Sequence, residues 1–184
     1  MAVTLRKAIF VITCLAVGMT CQTKQSKFVF AGNTQARKIA GSAPYKHYFN
    51  EKYCYSVDYP SYLVPGPEPD AQDGRKFTSK DKPLTMSVWG HYSNWMSGDE
   101  MTIDEEKDWT LKNLAGDQLP APKVTYKAQG KNWFVISGLS RDNTFYQRTI
   151  RTKDSFVTVL IIYPTAKKLE YDAMVQHVAS SLKG

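Results

Sequence analysis

Cysteine is scarce in this chain, three residues in 184. That scarcity excludes a disulfide-stapled scaffold and a paired-cysteine zinc site. Histidine is as sparse: His47, His91 and His177 stand far apart, and none has a second histidine or cysteine at the close spacings metal sites use. There is no Gly-x-Ser-x-Gly elbow and no phosphate-cradling glycine loop, which removes the common signatures of serine hydrolases and nucleotide-binding enzymes. No Asn-x-Ser/Thr site, internal repeat or low-complexity tract occurs. Net charge is missing too once the first 48 residues are set aside. From Phe49 onward, 17 Lys and Arg face 17 Asp and Glu, so the formal charge of +7 belongs wholly to the amino-terminal part. A nucleic-acid-binding domain concentrates positive charge on the body that docks, and this one does not.

One feature of the opening residues is strong. Arg6 and Lys7 precede the apolar run Ala8 to Gly18, and polarity returns from Thr20 to Lys24. A basic start, an apolar centre too short to span a bilayer and small residues beyond it are the layout of an export signal. Ala16-Val17-Gly18 suits cleavage after Gly18. Alternatively, Cys21 is the lipidated first residue of a bacterial lipoprotein, held at a membrane surface, although Gly18 and Thr20 replace the usual residues before such a cysteine. If Cys21 is kept without lipid, it has Cys54 as a partner for pairing in an oxidising compartment. The expected organisation is a signal peptide over 1–21, a basic linker over 22–48 and a single globular domain over 49–184. The linker has Lys24, Lys27, Arg37, Lys38 and Lys46 and no acidic residue, and reads as a solvated tail with weak attraction to anionic surfaces. Roughly 160 residues after the signal suffice for one full core.

Within the domain, Tyr53, Tyr55, Val57 and Tyr59 alternate on one face of a half-buried strand that Pro60 stops, with Cys54 as a small packed residue of it. Residues 64–74 carry three prolines, two glycines and Glu68, Asp70 and Asp73, and read as an exposed acidic loop. Short strands are expected over 75–79 and 84–90, the second placing Leu84, Met86 and Val88 on one side and Trp89 on the other. Thr102-Ile103-Asp104-Glu105 is a capping box that starts a helix, and Asp104, Glu105 and Glu106 suit its positive end. Ile103, Lys107 through its stem, Thr110, Leu111 and Leu114 form the inward stripe, and Gly116 is placed to end the helix. Four strands follow over 123–129, 132–137, 144–152 and 156–163, with connections short enough to demand antiparallel neighbours. Phe156 to Tyr163 is apolar on both faces, so this strand belongs at the centre with cover on each side. A closing helix over 168–182 turns Tyr171, Met174, Val175, Val178 and Leu182 inward, with His177 on its solvated flank. The expectation is an α+β sandwich: a twisted antiparallel sheet of about six to seven strands with at least two helices packed on it.

The order Phe49-x-x-x-Tyr53-x-Tyr55-Ser56-Val57-x-Tyr59-Pro60, then a helix after the third strand, a strand meander, Tyr163-Pro164 and a closing amphipathic helix resembles the PsbP-like fold. That fold, named after an extrinsic photosystem II protein, includes many bacterial exported proteins and lipoproteins. The resemblance covers about Phe49 to Lys183. It implies a binding or assembly-assisting domain without chemistry of its own, and no functional residue carries over.

The segment from Gly90 to Gly98 joins a strand to the capped helix and is rich in Tyr, Trp, Asn, Ser and Gly, residue types that combine rigid contact area with adaptable hydrogen bonding. His91, Tyr92, Asn94, Trp95 and Met96 are its candidate binding residues. The bland alternative has Trp95 and Met96 folding back over the sheet edge. His91 with Asp99 or Glu100 is the one candidate acid–base pair. The sequence therefore points to a non-catalytic accessory of the bacterial cell envelope, exported to the periplasm or held there by Cys21, with a protein partner, no nucleic acid and no cofactor. Two alternatives remain: a periplasmic immunity protein that neutralises a delivered toxin, and a small hydrolase built on His91.

Overall fold

A computed structural model of the chain describes residues 44–94 and 98–184. The expected signal, Cys21, the expected linker up to residue 43, Trp95 and Met96 lie outside the described residues.

The residues that are apolar on both faces become the centre of the sheet, as their pattern requires. Nine strands and two α-helices are described: β1 (Tyr45–Asn50), β2 (Tyr55–Pro60), β3 (Val64–Pro65), β4 (Gly74–Thr78), β5 (Thr85–Tyr92), α1 (Ile103–Lys112), β6 (Lys123–Gly130), β7 (Trp133–Ser140), β8 (Asn143–Arg151), β9 (Ser155–Pro164) and α2 (Lys168–Ser181). Seven strands form one antiparallel sheet in the order β3-β4-β5-β9-β8-β7-β6, while β1 and β2 pair as a separate hairpin. In β9 all residues from Ser155 to Ile161 are buried, between β5 on one side and β8 on the other. The short connections after β6 produce the expected meander.

The two faces differ. On one, Met86 and Val88 of β5 join Val157, Val159 and Ile161 of β9, and the cover comes from Tyr55 and Val57 of β2 and Tyr171, Val175 and Val178 of α2. Each such side chain contributes roughly 1.5–3 kcal/mol by leaving water, so this layer carries much of the stability. On the other, Phe134 and Ile136 of β7, Phe145 of β8 and Phe156 and Leu160 of β9 meet Met101, Ile103 and Leu119. Trp89 packs on this second face and Met86 and Val88 on the first, as the alternation in β5 predicts.

α1 begins as its sequence announces. Glu105 N–H donates to the Thr102 hydroxyl at 3.2 Å, and the Glu105 carboxylate accepts from Thr102 N–H at 2.7 Å. The Thr102 N–H and the Thr102 hydroxyl, both donating to the Glu105 carboxylate, hold that carboxyl below its ordinary range. α2 has no side-chain cap; it follows Pro164 and a single 3-10 turn over Thr165–Lys167.

Four local expectations change. α1 ends at Lys112 with Asn113 as its C-cap, its N–H donating to the Trp109 carbonyl, so the helix stops before Leu114, and Gly116 belongs to the turn that follows. Val64–Pro65, expected in the acidic loop, pairs antiparallel with β4 as the edge strand of the sheet. β1 was not predicted as a strand, and it begins at Tyr45. It pairs along all of β2, from Tyr45 opposite Pro60 to Asn50 opposite Tyr55. Cys54 is not packed within a strand. It is exposed in the turn between the two, at a left-handed φ of 48°, with its thiol donating to the Glu51 carbonyl at 3.6 Å. The tight reversal needs a residue there whose side chain points out, which breaks the alternation before Tyr55. His177 lies on the exposed flank of α2 as expected. It is nevertheless engaged, stacked on Tyr45 with centroids 3.8 Å apart and 3.1 Å from Asp58, which His47 also approaches at 3.0 Å.

Candidate functional site

α1 is ten residues long and sits over the β7 side of the second face, so it covers only part of it. Between the helix and the β5 side remains a cleft of about 720 Å³, within the range of small-ligand sites. Its floor is Trp89 and His91 of β5, Thr158 and Leu160 of β9 and Gln147 of β8; α1 and the residues after it form the wall. The wall is pinned by two features. Ser87 donates its hydroxyl to Gln118 at 3.0 Å, and Gly116 and Leu119 exchange backbone hydrogen bonds across a tight turn.

The floor is polar where a core would be apolar. Gln147, Thr149 and Thr158 are 5%, 0% and 2% exposed, and the Thr149 and Thr158 hydroxyls bond each other at 2.8 Å. Above them Glu106 of α1 points down, 3% exposed, with one carboxylate oxygen 3.2 Å from His91 Nε2 and the other accepting from the Thr110 hydroxyl at 3.4 Å. The carboxylate facing His91 is therefore Glu106. Glu100 instead pairs with Arg151, and Asp99 is exposed.

The loop after β5 reaches the mouth of this cleft. Tyr92 and Asn94 both line it, as do His91 from the strand and Trp109 from α1. Tyr92 is 57% exposed, with its ring 5.1 Å from that of Tyr53. The neck of the loop is held by an Asn94–Glu100 bridge, and Ser93 ties it to both sides: its N–H donates to Asp154 and its carbonyl accepts from Met101 at 2.6 Å. The structure thus brings together His91, Tyr92 and Asn94 of the candidate residues. It adds four that the sequence reading did not single out: Glu106, Trp109, Gln147 and Thr158. Glu106 had a visible signal. It lies three residues after Ile103 and four before Thr110, on the stripe that faces the sheet.

Among the described residues no group of three or more His, Cys, Asp and Glu is arranged to hold a metal ion, and no helix is long and apolar enough to cross a membrane.

No family model and no curated protein sequence matches the chain. Solved structures do. The solution structure of the cyanobacterial PsbP protein CyanoP from Synechocystis is similar at a TM-score of 0.56 and 13% identity, covering 83% of this chain and 98% of that one. The Saccharomyces cerevisiae Ran-binding protein Mog1p is similar at a TM-score of 0.54 and 11% identity, covering 77% of this chain and 96% of that one. At such identities the likeness is one of fold, and the fold is PsbP-like: a seven-stranded antiparallel sheet with a two-stranded hairpin and two helices.

Proposed function

We propose that this protein is a non-catalytic binding or assembly accessory of the bacterial cell envelope, exported from the cytosol, and that it binds its partner in the cleft between α1 and the sheet. The observation that carries the reading is the cleft itself, about 720 Å³ with a buried polar floor. A fold under no demand but stability fills such a space with apolar side chains, because burying hydroxyls and a carboxylate costs free energy that packing does not. The loop of Tyr92 and Asn94 and the exposed Trp109 give the mouth the residue types that dominate binding energy at interfaces. Mog1p, named for binding Ran, is one instance of this fold in a binding role. The export signal read at residues 1–21 supports the location, and the mass of the mature amino terminus distinguishes cleavage after Gly18 from lipid on Cys21.

The test is capture of partners from an envelope fraction by the full-length protein and by a Tyr92→Ala/Trp109→Ala variant. Loss of a partner by a variant with unchanged circular dichroism supports the reading. Retention of every partner removes the cleft as the site.

A specific observation favours one second reading. The His91–Glu106 pair is an imidazole oriented by a buried carboxylate inside a cleft, an arrangement a general base uses. A hydrolytic activity lost in His91→Ala would replace the binding reading with that one.

A further inference from the structure

The cleft has a sign. Of the residues that line it, Asp73, Glu106 and Asp117 are acidic and none is Lys or Arg. Glu106 is the buried member, and its partners are an imidazole that is 37% exposed and a threonine hydroxyl. Buried carboxylates ordinarily rest against Arg or Lys, whose charge offsets the lost hydration. The cations close by are committed elsewhere. Lys107 is bound by Asp104 and Gln129, and Arg151 is bound by Glu100 with its guanidinium over the Phe156 ring. The cleft therefore holds a carboxylate short of a strong counter-charge and is lined as well by Trp89 and Trp109.

Resting on the reading of this cleft as the binding site, we infer that its ligand carries a protonated amine or guanidinium group, which enters the cleft lined by Trp89 and Trp109 and takes Glu106 as its counter-charge. The negative faces of the tryptophan rings attract such a group, and Glu106 accepts its N–H donors in a desolvated setting where a charged hydrogen bond is strongest. Gln147 and Thr158 on the floor offer further oxygen acceptors. Anions are repelled by Asp73, Asp117 and Glu106 together.

The experiment titrates the full-length protein with three probes that share a ring and a two-carbon spacer: phenethylamine, 2-phenylethanol and 3-phenylpropionate. Tryptophan fluorescence and amide chemical shifts report binding. The expected order is amine, then alcohol by about tenfold, then carboxylate. Glu106→Gln, which keeps the side-chain shape, removes most of the preference of the amine over the alcohol. Because the order is read first in the unaltered protein, a Glu106→Gln protein that failed to fold would leave the test intact. A fourth probe, acetyl-Phe-Arg-amide, separates the two sources of the cation. Binding about tenfold tighter than phenethylamine assigns it to a side chain of a protein partner, and equal binding assigns it to a small amine. Equal affinity for amine and alcohol at the cleft overturns the inference and leaves the site standing. A preference for the carboxylate, or no binding by any probe, also overturns it. In the last case partner capture by the Tyr92→Ala/Trp109→Ala variant still decides the wider reading on its own.

Discussion

The Thr149–Thr158 pair gives a sharp test of whether the polar floor is kept for function at the expense of stability. The two hydroxyls face each other at 2.8 Å, both almost wholly out of water, but only Thr158 lines the cleft. Thr158→Val removes the partner of Thr149 and strands its hydroxyl in the interior, a loss of about 1–2 kcal/mol. Thr149→Val strands a hydroxyl that borders the cleft and can turn to water there, so its cost is smaller, about 0.5–1 kcal/mol. Replacing both exchanges two hydroxyls for two methyl groups of the same shape, and the double variant returns to about the parent's stability or exceeds it. The cycle therefore predicts a coupling of roughly 1.5–3 kcal/mol between the two sites. Urea unfolding reads it directly. With a slope of about 2 kcal/mol/M for a domain of this size, Thr158→Val lowers the midpoint by roughly 0.5–1 M while the double variant stays near the parent. A double variant destabilised by the sum of the single losses would refute the reasoning, since it would mean that the hydroxyls serve other partners.

Two further predictions concern the opposite face and strand β5. Burial alone would raise the Asp58 carboxyl, but hydrogen bonds from His47 and His177 outweigh it and hold the group below its ordinary value. The stability this contributes is complete above the unfolded carboxyl value of about 4 and is lost as pH falls through the lower folded value. Asp58→Asn should cost about 1 kcal/mol at neutral pH and flatten that acid limb, as urea unfolding from pH 2 to 7 will show. At Gly90, an added Cβ would lie 2.8 Å from the Tyr53 ring, so Gly90→Ala should cost about 1–3 kcal/mol by displacing it. Adding Tyr53→Ala should remove most of that increment in thermal unfolding.

What the sequence makes legible follows from where physical forces are local. The placement of β9 could be read because a run of eight residues, apolar but for Thr158, needs cover on both faces. The start of α1 was readable because a capping box is satisfied within four residues. β1 was not, because Tyr45, Lys46, His47 and Tyr48 do not alternate. Its hold on the fold comes from contacts remote in sequence, Tyr45 on His177 and Tyr48 on Phe77. Cys54 was misplaced because the turn takes the first residues, Tyr53 and Cys54, of an apparently regular strand. In the cleft, His91, Tyr92 and Asn94 were found through loop composition. Glu106 was missed because a carboxylate in the first turn of a helix is ordinarily a solvated cap, although its place on the stripe of Ile103 and Thr110 turns it toward the sheet. Gln147 and Thr158 were missed because a polar residue in a strand is ordinarily on the solvent side. Here both strand faces are interior, and the polar residues mark where a cleft replaces core.

The central claim, that the partner is bound in the cleft below α1, is tested most directly by photo-crosslinking in intact envelopes. A benzophenone side chain in place of Trp109, 50% exposed at the mouth, is compared with one in place of Leu169, 91% exposed on α2 at the opposite face. Adducts from position 109 and none from 169 are the predicted result. Adducts from 169 with none from 109 would contradict the account.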